Sequence, residues 1–187
     1  MRIRGNTLTD TMAKAGLTAA KLAEAIAEPG LSAPDAERAI KNWAAGSDHP
    51  RCKAKHIRKI AQVLGVEGKD IAKFTSEVRN HRGSTRKARL LADLIRGKDV
   101  DQALNLLTFT TKKAAVNVKK ALAAAIADAE QGEVDTTLLF VSESRVNEGT
   151  VIKRFQPKDR GRAHAILKQT SHITVSVQER TLKAGAR

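Results

Sequence analysis

The sequence predicts an α+β protein: a small antiparallel sheet packed by three helices, with a long protruding β-hairpin, preceded by a small all-helical domain. Three observations carry this. Apolar residues recur at helical spacing through the first part and switch to a two-residue period in strands of the second. A Gly-containing connector, Gly65-Val66-Glu67-Gly68-Lys69-Asp70, lies where the charge changes: residues 1–70 hold 12 basic and 8 acidic side chains, residues 71–187 hold 22 and 12. Finally, two β-capable arms flank a Pro157–Gly161 tip crowded with cations. These place domains at 1–68 and 69–187, with the hairpin at about 145–172.

The first domain reads as four helices, Leu8–Ala15, Ala19–Ala27, Pro34–Ala45 and Lys55–Leu64. Thr18 is placed to cap the second. Ser32 with Asp35 resembles a capping box for the third, whose first turn holds Pro34 at no cost. Gly16, Gly46 and Gly65 end three of them. Leu22, Ala23 and Ile26, then Ala36, Ile40 and Trp43, then Ile57, Ile60, Ala61 and Leu64 form the expected core.

In the second domain Phe74–Val78 is a weak strand. Helices follow at Thr85–Arg96, Asp101–Leu107 and Thr111–Gln131, then a strand at Leu138–Val146. His172–Gln178 alternates strictly, putting Ile173, Val175 and Val177 on one face and Thr174, Ser176 and Gln178 on the other.

Charge points to the partner. The chain holds 34 Lys+Arg against 20 Asp+Glu, formally +14, an excess that favours nucleic acid or an anionic membrane. No run of 18 apolar residues is present to span a bilayer, and the first residues lack a signal-peptide core. Aromatics are 3% with no Tyr, too few for stacked single-strand platforms; phosphate and shape contacts to structured nucleic acid fit better. One cysteine, Cys52, excludes an internal disulfide and points to a reducing, intracellular setting. His81, His164 and His172 lack metal-ligand spacing. Ser84, His81 and Asp93 supply triad residue types, but the Ser opens a helix amid cations. The expectation is no catalysis, no metal and no cofactor.

The cations fall in groups. Arg86, Arg89, Asp93 and Arg96 share one helix face, opposite Ala88, Leu91 and Ile95. In the long helix Lys112 and Lys119 share one line, as do Lys113 and Lys120, each pair two turns apart. Lys153, Arg154, Lys158, Arg160 and Arg162 crowd the tip beside one acid, Asp159. Five cations cannot leave water without partners, so a projecting tip of this kind needs a polyanion around it.

Arg86-Lys87-Ala88-Arg89-Leu90, Ala92-Asp93-Leu94-Ile95-Arg96-Gly97-Lys98, Ala103-Leu104, Lys112-Lys113-Ala114-Ala115, Ala125-Ile126-Ala127 and Ala129-Glu130 are followed by Lys153-Arg154, Gly161-Arg162-Ala163 and Thr170-Ser171-His172-Ile173-Thr174-Val175. In these stretches Ile71–Arg180 resembles the large-subunit ribosomal protein twenty-two family. The resemblance implies a cytoplasmic, ribosome-bound structural protein that binds large-subunit rRNA, supports assembly beside neighbouring ribosomal proteins, and sets a hairpin tip near the nascent peptide in the exit tunnel. It implies rRNA or tunnel-wall contacts for Lys153, Arg154, Lys158, Arg160 and Arg162, and anchoring by Arg86, Lys87, Arg89, Arg96, Lys98, Lys112 and Lys113. Lys119, Lys120, Lys168 and His172 complete the expected rRNA-binding set. Thr85 stands where many members have Pro, Asp128 where Asn is usual, and Pro157-Lys158-Asp159-Arg160 replaces a common Pro-Arg-Ala-x.

The first 70 residues lie outside that resemblance. Leu22-Ala23-Glu24-Ala25-Ile26, Lys41-Asn42-Trp43-Ala44-Ala45-Gly46 and Ile57 to Val66 are similar to helix-turn-helix domains of phage-repressor type. Pro34–Ala45 would then be the recognition helix, offering Arg38, Lys41 and Asn42 to a major groove. The turn before it, Glu28-Pro29-Gly30-Leu31, is longer than such domains use. A helical extension docked on rRNA or a neighbouring protein is the preferred reading; a DNA-binding regulator is the alternative.

Overall fold

The computed structural model describes residues 1–27 and 32–180. The chain divides into two compact units, Met1–Phe74 with Ala129–Val134, and Thr75–Asp128 with Asp135 onward. Helices and antiparallel strand pairs make an α+β protein.

The first unit begins with strand β1 (Arg2–Ile3), then helices α1 (Gly5–Ala15), α2 (Ala19–Ile26), α3 (Ala33–Ala44), α4 (Ala54–Leu64) and the short α5 (Gly68–Ile71), leading into strand β2 (Ala72–Arg82). β1 pairs antiparallel with the start of β2, Arg2 opposite Lys73 and Ile3 opposite Ala72. The core expected from helical spacing is buried: Leu22, Ile26, Ile40, Trp43, Ile57 and Ile60 are at most 1% exposed. Each such side chain contributes about 1.5–3 kcal/mol by leaving water. Ser32 caps α3, its Oγ accepting from the Asp35 N–H; Thr18 precedes α2 without a side-chain cap bond. The long turn at 28–31 lies outside the described residues. α1 starts three residues before the apolar pattern does. A Cβ on Gly5 would lie 2.6 Å from the Ala44 carbonyl oxygen, so only glycine lets α1 begin against the end of α3.

The loop from α3 to α4 is tied at several points. Asn42 Nδ2 donates to the His49 carbonyl at 2.9 Å, and Trp43 Nε1 to the Pro50 carbonyl at 2.6 Å. Asp48 accepts from the Cys52 N–H at 3.3 Å and pairs with Arg2 at 3.2 Å. Burial, and then the Asp48 carboxylate, push the Cys52 thiol up to about 12. The thiolate is the reacting form. Iodoacetamide should therefore label the folded protein at pH 8 about a thousandfold more slowly than a free thiol, with ordinary labelling after unfolding. Rapid labelling of folded protein, followed by mass spectrometry, would refute this burial.

In the second unit the rest of β2 leads to α6 (Thr85–Ile95), α7 (Val100–Phe109) and α8 (Ala114–Glu130), whose last residues count with the first unit. Strands β3 (Leu139–Glu148), β4 (Ile152–Pro157), β5 (Ala163–Lys168) and β6 (Thr170–Glu179) follow. β3 and β6 pair antiparallel from Leu139 opposite Glu179 to Glu148 opposite Ser171, with a bulge between Val141 and Glu143. β2 flanks β6 on its other side. α6 packs Ala88, Leu91, Ala92 and Ile95 against β3 and β6, and α7 packs on β3.

β6 departs from the sequence expectation. Strict alternation predicts one wet face, yet Thr174 and Ser176 are buried along with Ile173, Val175 and Val177. β6 is flanked by strands on both edges, and its hydroxyl face is satisfied locally: Ser176 Oγ lies 2.8 Å from Thr75 Oγ1. Small hydroxyl residues tolerate burial when paired in this way. β2 is also longer than the weak apolar run suggests. It continues through Asn80, which takes a left-handed conformation (φ 54°) and donates its N–H to His172 Nδ1 at 3.1 Å.

β4 and β5 form a separate two-stranded antiparallel ribbon, Ile152 opposite Lys168 and Pro157 opposite Ala163. At its base Gly149 N–H donates to the Thr170 carbonyl, and Thr170 Oγ1 to the Thr150 carbonyl. Directly opposed residues share a face. Phe155, Pro157, Ala163, Ala165 and Leu167 therefore line one side with Lys153, while Arg154, Gln156, His164 and Lys168 line the other with Ile152 and Ile166. Phe155 is 76% and Leu167 61% exposed.

Candidate nucleic-acid interface

The ribbon ends in a tight turn. The Lys158 N–H donates to the Arg162 carbonyl at 2.7 Å and the Arg162 N–H to the Asp159 carbonyl at 3.2 Å. Arg160 (φ 52°) and Gly161 (φ 70°) are both left-handed. A non-glycine residue there costs about 1–2 kcal/mol, so the turn holds Arg160 outward against a local penalty. Lys153, Arg154, Lys158, Arg160 and Arg162 are all exposed, and Asp159 is the only acid within the Ile152–Lys168 ribbon and turn.

A second concentration of charge surrounds the turn between β2 and α6. A cavity of about 610 Å³ is lined there by His81, Arg82, Gly83, Ser84, Lys87, Leu90, Lys112 and Lys113. A second, of about 500 Å³, shares Arg82, Gly83 and Ser84 and adds Arg154 and Lys168 beside Ile152, Leu167 and Thr170. Lys87, Lys112 and Lys113 thus come together, as do Arg154 and Lys168. Arg82 links the two groups, and sequence reading missed it; a cation two residues before the Ser84 that precedes α6 was the available signal. Ser84 itself makes no side-chain cap bond.

Lys112 and Lys113 are not where helical spacing put them. α8 starts at Ala114 and the Lys112 carbonyl accepts from the Ala115 N–H, so both lysines lie in the turn before the helix. The two lines expected with Lys119 and Lys120 therefore do not form on one helix. Lys119 Nζ instead donates to Thr108 Oγ1 at 2.9 Å, and Lys120 is exposed.

Other expected residues are spread out. Arg86 and Arg89 are exposed on α6. Arg96 pairs with Asp93 at 2.8 Å and donates from Nε and Nη2 to the Ser144 carbonyl, which ties the end of α6 to β3. Lys98 is half-buried, and its carbonyl accepts from the Val141 N–H. His172 is half-buried with Nδ1 engaged by Asn80, leaving Nε2 for a proton. In the first unit Arg38 is exposed, Lys41 pairs with Glu37 at 2.7 Å, and Asn42 is bound to His49. Among the described residues no group of three His, Cys, Asp or Glu is arranged to hold a metal, and no helix is long and apolar enough to cross a membrane.

His81 lines the first cavity at 9% exposure. The Asn117 amide lies 2.7 Å from its Nδ1 and has only hydrogens to offer there, so the ring is neutral with its proton on Nε2. Desolvation, and then the Lys113 charge, lower its pKa below 6.5. The unfolded chain therefore takes up this proton first. The stabilising contribution is present above pH 6.5 and is lost as pH falls from there through the lower folded-state value. We expect the melting temperature to fall between pH 7.5 and about 5.5, and His81→Gln to flatten that slope. An unaltered slope in the variant, measured by calorimetry, would show that other groups set it.

The family profile of ribosomal protein L22p/L17e matches residues 76–178. The chain belongs to that family. An L22p/L17e protein is a structural, non-enzymatic component of the large ribosomal subunit that binds rRNA alongside other ribosomal proteins. The match takes in both basic-lined cavities from His81 to Thr170 and the whole β4–β5 ribbon. It leaves out residues 1–75, α1 to α5 among them.

Proposed function

We propose that this L22p/L17e chain supports assembly of the large subunit by inserting the β4–β5 ribbon, as a projecting hairpin, into the rRNA interior. Its tip then lies beside the nascent peptide in the exit tunnel. The observation that carries this reading is the ribbon itself: two strands with no third among the described residues, an apolar side open to water, and five exposed cations around one acid. At about 3.3 Å per residue each six-residue arm spans roughly 20 Å. Phosphates would neutralise Arg154, Lys158, Arg160 and Arg162, and Lys87, Arg86, Arg89, Lys112 and Lys113 would anchor the second unit. Residues 1–68 act as a helical extension of this ribosomal domain.

Sedimentation of ribosomes through about 0.5 M salt tests the reading, because interlocked chains resist counterion competition that strips purely phosphate-bound ones. The chain should remain with the large subunit. A photo-crosslinker at Lys158 should capture nascent peptide. Finding the chain free of ribosomes in growing cells would overturn the proposal.

A further inference from the structure

We propose that the first unit binds RNA through the Arg51–Lys59 segment, gripping a phosphate backbone, and not through α3. This rests on the ribosomal reading and extends it to residues outside the family match.

Charge separates the two surfaces. Arg51, Lys53, Lys55, Arg58 and Lys59 fall within nine residues, and no acid occurs from Arg51 through Val66. Arg51, Lys53, Lys55 and Arg58 are exposed. α3 carries Asp35 and Glu37 against Arg38 and Lys41, with Lys41 already paired to Glu37 and the Asn42 amide held by His49. A helix presented to an anion through α3 would offer no net charge. Lys55, Arg58 and Lys59 follow i, i+3, i+4 spacing and so share one side of α4, away from the buried Ile57, Ile60, Ala61 and Leu64.

The segment is also held ready. The ties from Asn42, Trp43, Asp48 and Arg2 fix the loop that presents Arg51 and Lys53, so binding has little backbone left to order. Helix polarity agrees. Lys53 occupies the N-cap of α4 with no side-chain cap bond, and the first turn contains no acid. Cations there oppose the helix dipole; a departure from local preference of this kind marks a surface used for something else.

Two features favour phosphate over bases or an acidic protein. From Arg51 to Leu64 no aromatic side chain is exposed and Val63 is the one large apolar side chain that is, which removes base-stacking platforms and leaves a single aliphatic contact where protein interfaces cluster several. Arg51, Lys53 and Arg58, exposed on a fixed frame, suit the backbone of structured RNA, read without sequence preference.

The test measures binding of the full chain to naked large-subunit rRNA between about 50 and 200 mM salt. Arg51→Ala, Lys53→Ala and Arg58→Ala together should lower affinity by about tenfold or more and make the salt slope shallower by about three. Arg51→Lys with Arg58→Lys should keep the slope, and Arg38→Ala with Lys41→Ala should leave binding unchanged. An unchanged slope in the triple variant, or an equal loss in the α3 pair, overturns the proposal. So does a triple variant that binds rRNA normally but loses an acidic ribosomal protein. Failure of the unaltered chain to bind rRNA would sink the ribosomal reading itself. Normal binding by both the unaltered chain and the triple variant sinks only this inference.

Discussion

Replacing Lys153, Arg154, Arg160 and Arg162 together by Ala is expected to weaken rRNA binding about a hundredfold near 0.1 M salt, with a salt slope shallower by about four. All four are exposed on the ribbon or its turn, so folding does not depend on them; a surface change of this kind ordinarily shifts stability by only about ±0.5 kcal/mol. Loss should therefore appear in incorporation into the large subunit and in altered sensitivity to tunnel-binding drugs, with the melting temperature nearly constant. Phe155→Ser with Leu167→Ser, on the apolar side, should instead leave the slope intact while reducing the amount assembled. If the four-fold variant assembles and responds to drugs as the parent does, the ribbon is not an rRNA-contacting element.

Trp43→Ala is expected to destabilise the first unit by about 3–5 kcal/mol. The side chain is 1% exposed, stacks on His56 with ring centroids 6.0 Å apart, and donates to Pro50. Removing it leaves a cavity and takes its hydrogen bond from the carbonyl of Pro50, an exposed residue. Trp43→Phe should separate these effects, keeping most of the volume and losing the hydrogen bond. Hydrogen exchange read by mass spectrometry should show α2, α3 and α4 losing protection while β3 and β6 keep theirs. The change removes no charge, yet it frees the loop bearing Arg51 and Lys53, so rRNA affinity should drop as well. A loss below about 1 kcal/mol would mean the Trp43 pocket collapses around the gap.

Much of the fold was legible because burial leaves a period in the sequence. The core of α2, α3 and α4 sits where helical spacing put it, and α6 buries Ala88, Leu91 and Ile95 as expected. What escaped was decided by partners distant in sequence. β6 reads as half-wet because Thr174 and Ser176 are polar, and only the strand beside it supplies Thr75 to bury them against. The start of α1 depends on the approach of Ala44, which leaves no apolar signature. For the site, the cations themselves were visible but their grouping was not. Lys112 and Lys113 precede α8 because the helix starts three residues later than the expected Thr111, and that places them with Lys87 around a cavity. Arg82 belongs to both cavities, a fact that follows only from where β2 ends.

The ribbon has a consequence for the chain before it meets RNA. Among the described residues, β4 and β5 each have one neighbour, so each presents an open row of backbone N–H and C=O groups on its outer edge. Such edges, beside an apolar side bearing Phe155 and Leu167, are templates for pairing copy to copy. Lys153 and Arg154 on β4, Lys168 on β5 and Arg162 in the turn between them carry like charge that repels a second ribbon. The lysines and arginines proposed above as phosphate ligands would thus have a second use, as gatekeepers in the newly made protein, where their like charge keeps one ribbon edge from another.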